Sequence, residues 1–189
     1  MLSYRIKTPA YYHAKSVKER LYFLSGIPER FWSTTQIQLS SFSATNDDNS
    51  ISKISLKFQQ EYFKNLVDNP KSKDTVCIAS SPTDTHALAG ASIIAKRAVD
   101  LELICEMIDL GNQIRLEKAP DVIIIHNITE DSTWDRFQLA RDWLSRYDGS
   151  LTVIVAATAN PISFVKKLRK DVDQILFSNN KFISKTIST

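Results

Sequence analysis

Residues 121–127 read Asp-Val-Ile-Ile-Ile-His-Asn, and the unbroken apolar run Val122–Ile125 decides the fold class. A strand with no polar alternation is buried on both faces, as in a parallel sheet covered by helices. Leu151–Ala157 (LTVIVAA) repeats the pattern, and Thr75–Ala79 (TVCIA) and Gln174–Phe177 (QILF) are shorter versions of it. Helical spacing falls between these runs. Ala87–Ala98 carries Leu88, Ala91, Ala95 and Ala98 along one side, and Thr133–Tyr147 carries Phe137, Ala140, Leu144 and Tyr147. A basic helix is predicted over Ile162–Lys170. Leu101–Leu116 stays open: its spacing suits a helix, while Val99, Leu101 and Leu103 also suit strand alternation. Strands alternating with helices predict an α/β fold with a mostly parallel sheet.

Upstream of these elements, Ser16–Leu24 reads as a short helix with Leu21, Phe23 and Leu24 on its apolar side. Gly26 and Pro28 punctuate the SGIPERFW stretch that follows. SSFSATNDDNSIS is a polar loop. A helix starting near Ser52 places Ile54, Phe58, Tyr62 and Leu66 on one face and ends at Asn69-Pro70, because the residue before proline is disfavoured in helical geometry. The chain shows no internal repeat.

The 189 residues suffice for one domain with a sizeable core. No apolar run approaches the roughly 20 residues that span a bilayer, and the first twenty residues have no apolar core of a secretory signal. A cytoplasmic location is expected, with association with the nucleoid as a variant. Cys77 and Cys105 lie in apolar stretches without metal-ligand spacing, so buried free thiols are expected. The net charge of +3 is uneven. Residues 1–30 hold six bases against two acids, residues 166–189 the same, and the middle is acidic. Basic ends suit either a phosphate-bearing or acidic partner, or simple solvation.

In open parallel sheets, ligands bind at the carboxyl ends of the strands. Three such ends are readable. After the first strand comes Ser80-Ser81-Pro82-Thr83-Asp84-Thr85-His86. A phosphate loop here needs glycines for close backbone approach, a lysine for the phosphates and a hydroxyl for magnesium. The segment has no glycine and no lysine; Thr85 falls on the lysine position and His86 on the hydroxyl position. Pro82 has no N–H to give, and Asp84 would repel phosphate. Thr83 or Asp84 suits a helix N-cap instead. After the second strand, His126 and Asn127 stand where a nucleotide hydrolase keeps acids, and neither suits magnesium. Glu130 and Asp131, a few residues on, read as a helix cap or first-turn acids in preference to a displaced metal site. After the third, Thr158 and Asn160 either face a terminal phosphate or cap the next helix. His86, His126 and Asp84 are a weak transition-metal set, if the two strand ends are neighbours. Ser80 and Ser81 form no nucleophile elbow with His86. No cofactor and no metal are expected.

The order and spacing of these segments resemble the AAA+ core of bacterial replicative-helicase loaders (DnaC/DnaI type) and of IstB-type transposition helpers, over about Leu21–Phe177. SGIPERFWSTTQIQLSSF resembles their lead-in, and CIASSPTDTHALA stands at their Walker A loop. PDVIIIHNITEDSTWDRFQLARDWLSRYDGS resembles their Walker B strand and next helix, with Arg146-Tyr147, and LTVIVAATANP their sensor-1 strand. The resemblance implies a RecA/AAA+-type, P-loop-NTPase-like three-layer core over residues 26–178. A basic lead with a short helix (1–25) precedes it, and a polar basic tail (179–189) follows. Both nucleotide motifs depart from the family pattern. The helical insertion through which such loaders engage single-stranded DNA is reduced, and neither a separate helicase-binding domain nor a sensor-2 arginine lid is evident.

The resemblance therefore implies a nonenzymatic pseudo-ATPase subunit that acts as an interaction module in replication initiation, helicase loading or their regulation. Its partner would be another AAA+ protein (an initiator or loader) or a replicative helicase, with self-association through family-like surfaces. The alternative is a DNA-binding accessory protein. Arg5, Lys7, Lys15, Lys18, Arg20, Lys166, Lys167, Arg169 and Lys170 would then touch phosphates. Tyr4, Tyr11 and Tyr12 would stack on unpaired bases or pack internally. A transposition or replication helper with residual nucleotide binding is the third reading.

Overall fold

The computed structural model describes residues 16–37, 39, 56–81, 85–110, 119–129, 134–146, 149–158, 163, 164, 167 and 172–178. The elements are α1 (Val17–Leu24), a 3-10 turn (Glu29–Phe31), α2 (Leu56–Asp68), β1 (Thr75–Ser80), α3 (His86–Asp100), β2 (Cys105–Asp109), β3 (Val122–Thr129), α4 (Trp134–Arg146), β4 (Leu151–Ala157) and β5 (Gln174–Phe177). The five strands form one sheet in the order β2-β3-β4-β1-β5, every pair parallel. This is an α/β fold. Among the described residues no helix is long and apolar enough to cross a membrane.

Because neighbouring side chains on a strand point to opposite faces, the apolar runs build two cores at once. Val76, Ile78, Val122, Ile124, Leu151 and Val153 pack with Ala91, Ile94, Ala95 and Ala98 of α3. Cys77, Ala79, Ile123, Ile125, Ile154 and Ala156 pack on the other face with Ala140 of α4 and Phe164. Both thiols are free and buried, Cys77 in the second core and Cys105 in the first. Burial pushes the Cys77 thiol far above its ordinary value.

Helix α3 is apolar on nearly every side, not on the single stripe Leu88-Ala91-Ala95-Ala98. Ala87, Ala89, Gly90, Ala91, Ser92, Ile93, Ile94, Ala95, Lys96 and Ala98 are all buried. A helix buried all round needs cover on the side away from the sheet, and residues 25–39 supply it as a belt. At one edge the Ser25 carbonyl accepts a hydrogen bond from Met107 N–H of β2 (2.9 Å). In mid-course Lys96 donates to the carbonyls of Trp32 (3.1 Å) and Thr34. Ile37 then lies over Gly90, where an added Cβ would sit 2.7 Å from its Cδ1. At the far edge Leu39 forms an antiparallel bridge with Ser178, just past β5. The belt thus runs from one edge of the sheet to the other across α3.

Two helices brace it. Lys18 and Tyr22 of α1 both bond Asp100 at the end of α3, at 2.9 and 3.0 Å. They offset an acid placed where the helix dipole disfavours it. In α2 Gln59 and Leu66 are buried and Tyr62 is half-buried, whereas Phe58, expected to be internal, is 44% exposed. Gln59 takes the inner position because its Oε1 accepts from Phe177 N–H (2.9 Å), a donor of the edge strand β5. In α1 it is Tyr22, and not Leu21, that is buried. Ile54 lies outside the described residues.

Of the open stretch Leu101–Leu116, residues 101–110 form a turn and then a strand, and residues 111–116 lie outside the described residues. α3 ends in the motif that also ends α1. Leu103 N–H bonds the Ala98 carbonyl and Glu102 N–H that of Val99, as Ile27 and Gly26 bond Tyr22 and Phe23. The motif requires a left-handed residue, filled by Gly26 (φ 80°) in α1 and by Glu102 (φ 60°) in α3. Cys105–Asp109 then pairs with β3. The short apolar run Cys105–Ile108 is broken by Glu106, which masks it as a strand signal.

Glu102→Gly should therefore raise stability by about 1 kcal/mol, the cost of holding a Cβ-bearing residue at positive φ, read by urea denaturation. A second expectation concerns Lys96. Burial holds its ammonium down to about 8 from an ordinary 10.5, with Asp100 opposing. Between those values the unfolded chain binds more protons, so this group makes stability rise with pH from about 8 toward 10.5. The increment should be absent in Lys96→Met, by difference from the wild-type profile.

Candidate functional site

Sheet order brings the three strand ends together. β4 lies between β1 and β3, and the register aligns Ser80 with Ala157 and Ala157 with Thr129. The three strands therefore finish level, on one edge of the sheet. Thr158 N–H donates to the Ser80 carbonyl (3.0 Å), tying the start of one loop to the start of another. Ser80 and Thr158 are fully buried, and Ser81 is half-buried.

Pro82, Thr83 and Asp84 lie outside the described residues. Thr85, exposed, is the N-cap residue of α3 and makes no side-chain cap bond. His86 is the first residue of α3 and is buried. It leads a helix and does not end a strand. His86 and His126 are not on neighbouring strands, because β4 intervenes. With strands about 4.8 Å apart, β1 and β3 are separated by about 10 Å. The His86–His126–Asp84 metal set loses its premise. Among the described residues no group of three His, Cys, Asp or Glu is placed to hold a metal ion.

The largest departure from expectation is at β3. The strand does not stop at Ile125 but continues to Thr129. His126 and Asn127 sit inside it, at a register shift where Ile125 pairs with Ile154 and Ile128 with Ala156. Two residues thus oppose one, Val155, which is a β-bulge. The extra residue returns Ile128 to the face of Ile125, and both are buried in the same core. Asn127 has φ 65°, and asparagine tolerates that left-handed geometry better than any β-branched neighbour would. Its Nδ2 donates to Asp109 of β2 at 2.7 Å, and the His126 carbonyl accepts from Leu110 N–H at 3.3 Å. These two residues build the strand. The residues that follow its end in sequence are Glu130 and Asp131, which lie outside the described residues. A continuous hydrophobic count missed this, since a bulge leaves no apolar signal; the positive-φ preference of Asn127 was the only clue.

Of the basic residues, Lys18 pairs with Asp100, Arg20 is exposed, and Lys167 is exposed with its carbonyl accepting from Arg141. Arg5, Lys7, Lys15, Lys166, Arg169 and Lys170 lie outside the described residues, as do Tyr4, Tyr11, Tyr12 and Asn160. Ser163, Phe164 and Lys167 are helical. Sequence reasoning passed over Lys96, although a lysine inside the apolar run Ser92–Val99 was a visible anomaly.

No protein-family model matches the chain, and no curated protein matches it in sequence.

The bulge predicts a graded response at one position. Asn127→Gly should keep stability within about 0.5 kcal/mol, whereas Asn127→Val should lose about 1–2 kcal/mol by forcing a β-branched residue to positive φ. Thermal denaturation of the two variants measures the difference.

Proposed function

We propose that this chain is a degenerate AAA+-like module of P-loop, three-layer type that serves as a protein-interaction subunit in replication initiation or helicase loading, without ATPase activity. One observation carries the reading. β3, β4 and β1 end level and adjacent, the disposition needed for three loops to share one triphosphate, yet the loop opening this edge cannot cradle one. Between Ser80 and His86 it contains proline, aspartate and no glycine or lysine. The strand order also differs from both common doubly wound orders, 3-2-1-4-5-6 and 2-1-3-4-5.

Glu130 and Asp131 follow Thr129 in the sequence, so the absence of ATPase activity is argued from the first loop. An inactive subunit of this kind would dock on an active AAA+ partner or a replicative helicase. The DNA-binding alternative retains the exposed Arg20 and Lys167 but has Lys18 engaged by Asp100.

Calorimetry with Mg·ATP should give no saturable heat for the unaltered protein, and Thr85→Lys should show no hydrolysis, because the glycines are still missing. Tight magnesium-dependent ATP binding by the wild type would sink the reading. Mass measurement on mixtures with initiator, loader and helicase proteins tests the docking half.

A further inference from the structure

We infer that the cleft between α2 and the belt is a binding site for a small apolar carboxylate. It is remote from the strand-end edge and independent of the function proposed above. Its floor is Ile93 of α3, seven residues along the helix from His86, a rise of about 10 Å.

The cleft lies between the belt and α2, where Phe63 and Val67 pack against the cluster of Phe31, Ile37, Leu39 and Ile93. The belt contributes Thr35, Gln36, Ile37 and Leu39, α2 contributes Gln60, Phe63, Lys64 and Val67, and the volume is about 470 Å³. That falls within the range of small-molecule sites. Ile37, Leu39 and Ile93 are buried, and Phe63 and Val67 are half-buried, so the interior is apolar.

The polar lining residues are Thr35, Gln36, Gln60 and Lys64, and their charge has one sign. Gln60, Phe63, Lys64 and Val67 recur at the spacing of a single helix face, so this face of α2 is turned to the cleft. The adjoining face, Gln59 and Leu66, is buried in the fold. Thr35, Gln36, Gln60 and Lys64 are exposed. Lys64 is the sole charged residue of the lining, and among the described residues it has no ion-pair partner. The neighbouring Lys57 and Glu61 are instead engaged with each other at 3.9 Å. An apolar floor, neutral amides and one unengaged ammonium at the rim select a ligand with an aliphatic or aromatic body and a terminal carboxylate. A cationic amphiphile of the same length meets repulsion at Lys64 and no compensating acid.

The test uses the full chain and two probes of equal length, octanoate and octylammonium, followed by amide chemical shifts of Ile37, Phe63 and Ile93. Octanoate should shift these amides saturably, and octylammonium should not. Lys64→Glu should reverse the preference, weakening octanoate at least tenfold and admitting octylammonium. Gln60→Trp, a substitution at an exposed rim position, should block both by filling the mouth without disturbing the core. The inference is overturned if octanoate leaves the three amides unmoved. It is equally overturned if octanoate binding survives both substitutions unchanged, which would mean adsorption elsewhere on the surface.

Discussion

The hydrogen bonds from Lys96 to the carbonyls of Trp32 and Thr34 hold the structure's least obvious layer in place. Helix α3 is too apolar to face water, and the sheet covers only one side of it. The belt that covers the other side has little regular structure of its own, so its backbone polar groups need partners from elsewhere. A buried ammonium satisfies two of them at the point where the belt crosses the helix. The cost is a charged group held out of water, visible in its lowered proton affinity. Gly90 completes the crossing by leaving room for Ile37.

The same layer determines what the strand ends present. With α3 wedged between sheet and belt, His86 in its first turn is buried. The bulge in β3 fixes the other side of the edge: it restores the inward register of Ile128, so the strand reaches the level of Ser80 and Ala157 before it ends. The loop after β1, which has neither glycine nor lysine, and the level strand ends therefore occupy one edge of one sheet.

Much of the architecture could be read from local pattern. The apolar runs at Val122–Ile125 and Leu151–Ala157 needed only their lack of alternation to declare a sheet covered on both faces, and Asn69-Pro70 placed the end of α2. What could not be read depended on contacts distant in sequence. Phe58 and Gln59 are adjacent, and only the edge donor of Phe177 decides that the polar one turns inward. β2 was obscured because it is short and carries Glu106. The site was less legible still. Counting residues past Ile125 put the strand end at His126 and Asn127, since a bulge adds a residue without altering hydrophobicity, and this hid the acids that follow Thr129.

The bonds that close the two sheet margins tie chain segments far apart. Gln59 meets Phe177 across 118 positions, and Leu39 bridges to Ser178. During synthesis the belt leaves the ribosome long before β5 exists to receive it. The interior strand β1 likewise waits for both of its neighbours, β4 and β5. Closure of such distant pairs slows folding and prolongs exposure of unpaired strand margins. Nascent chains of this protein would thus depend on chaperones until the last strand emerges, and an internal break between belt and sheet would leave both margins open to intermolecular pairing.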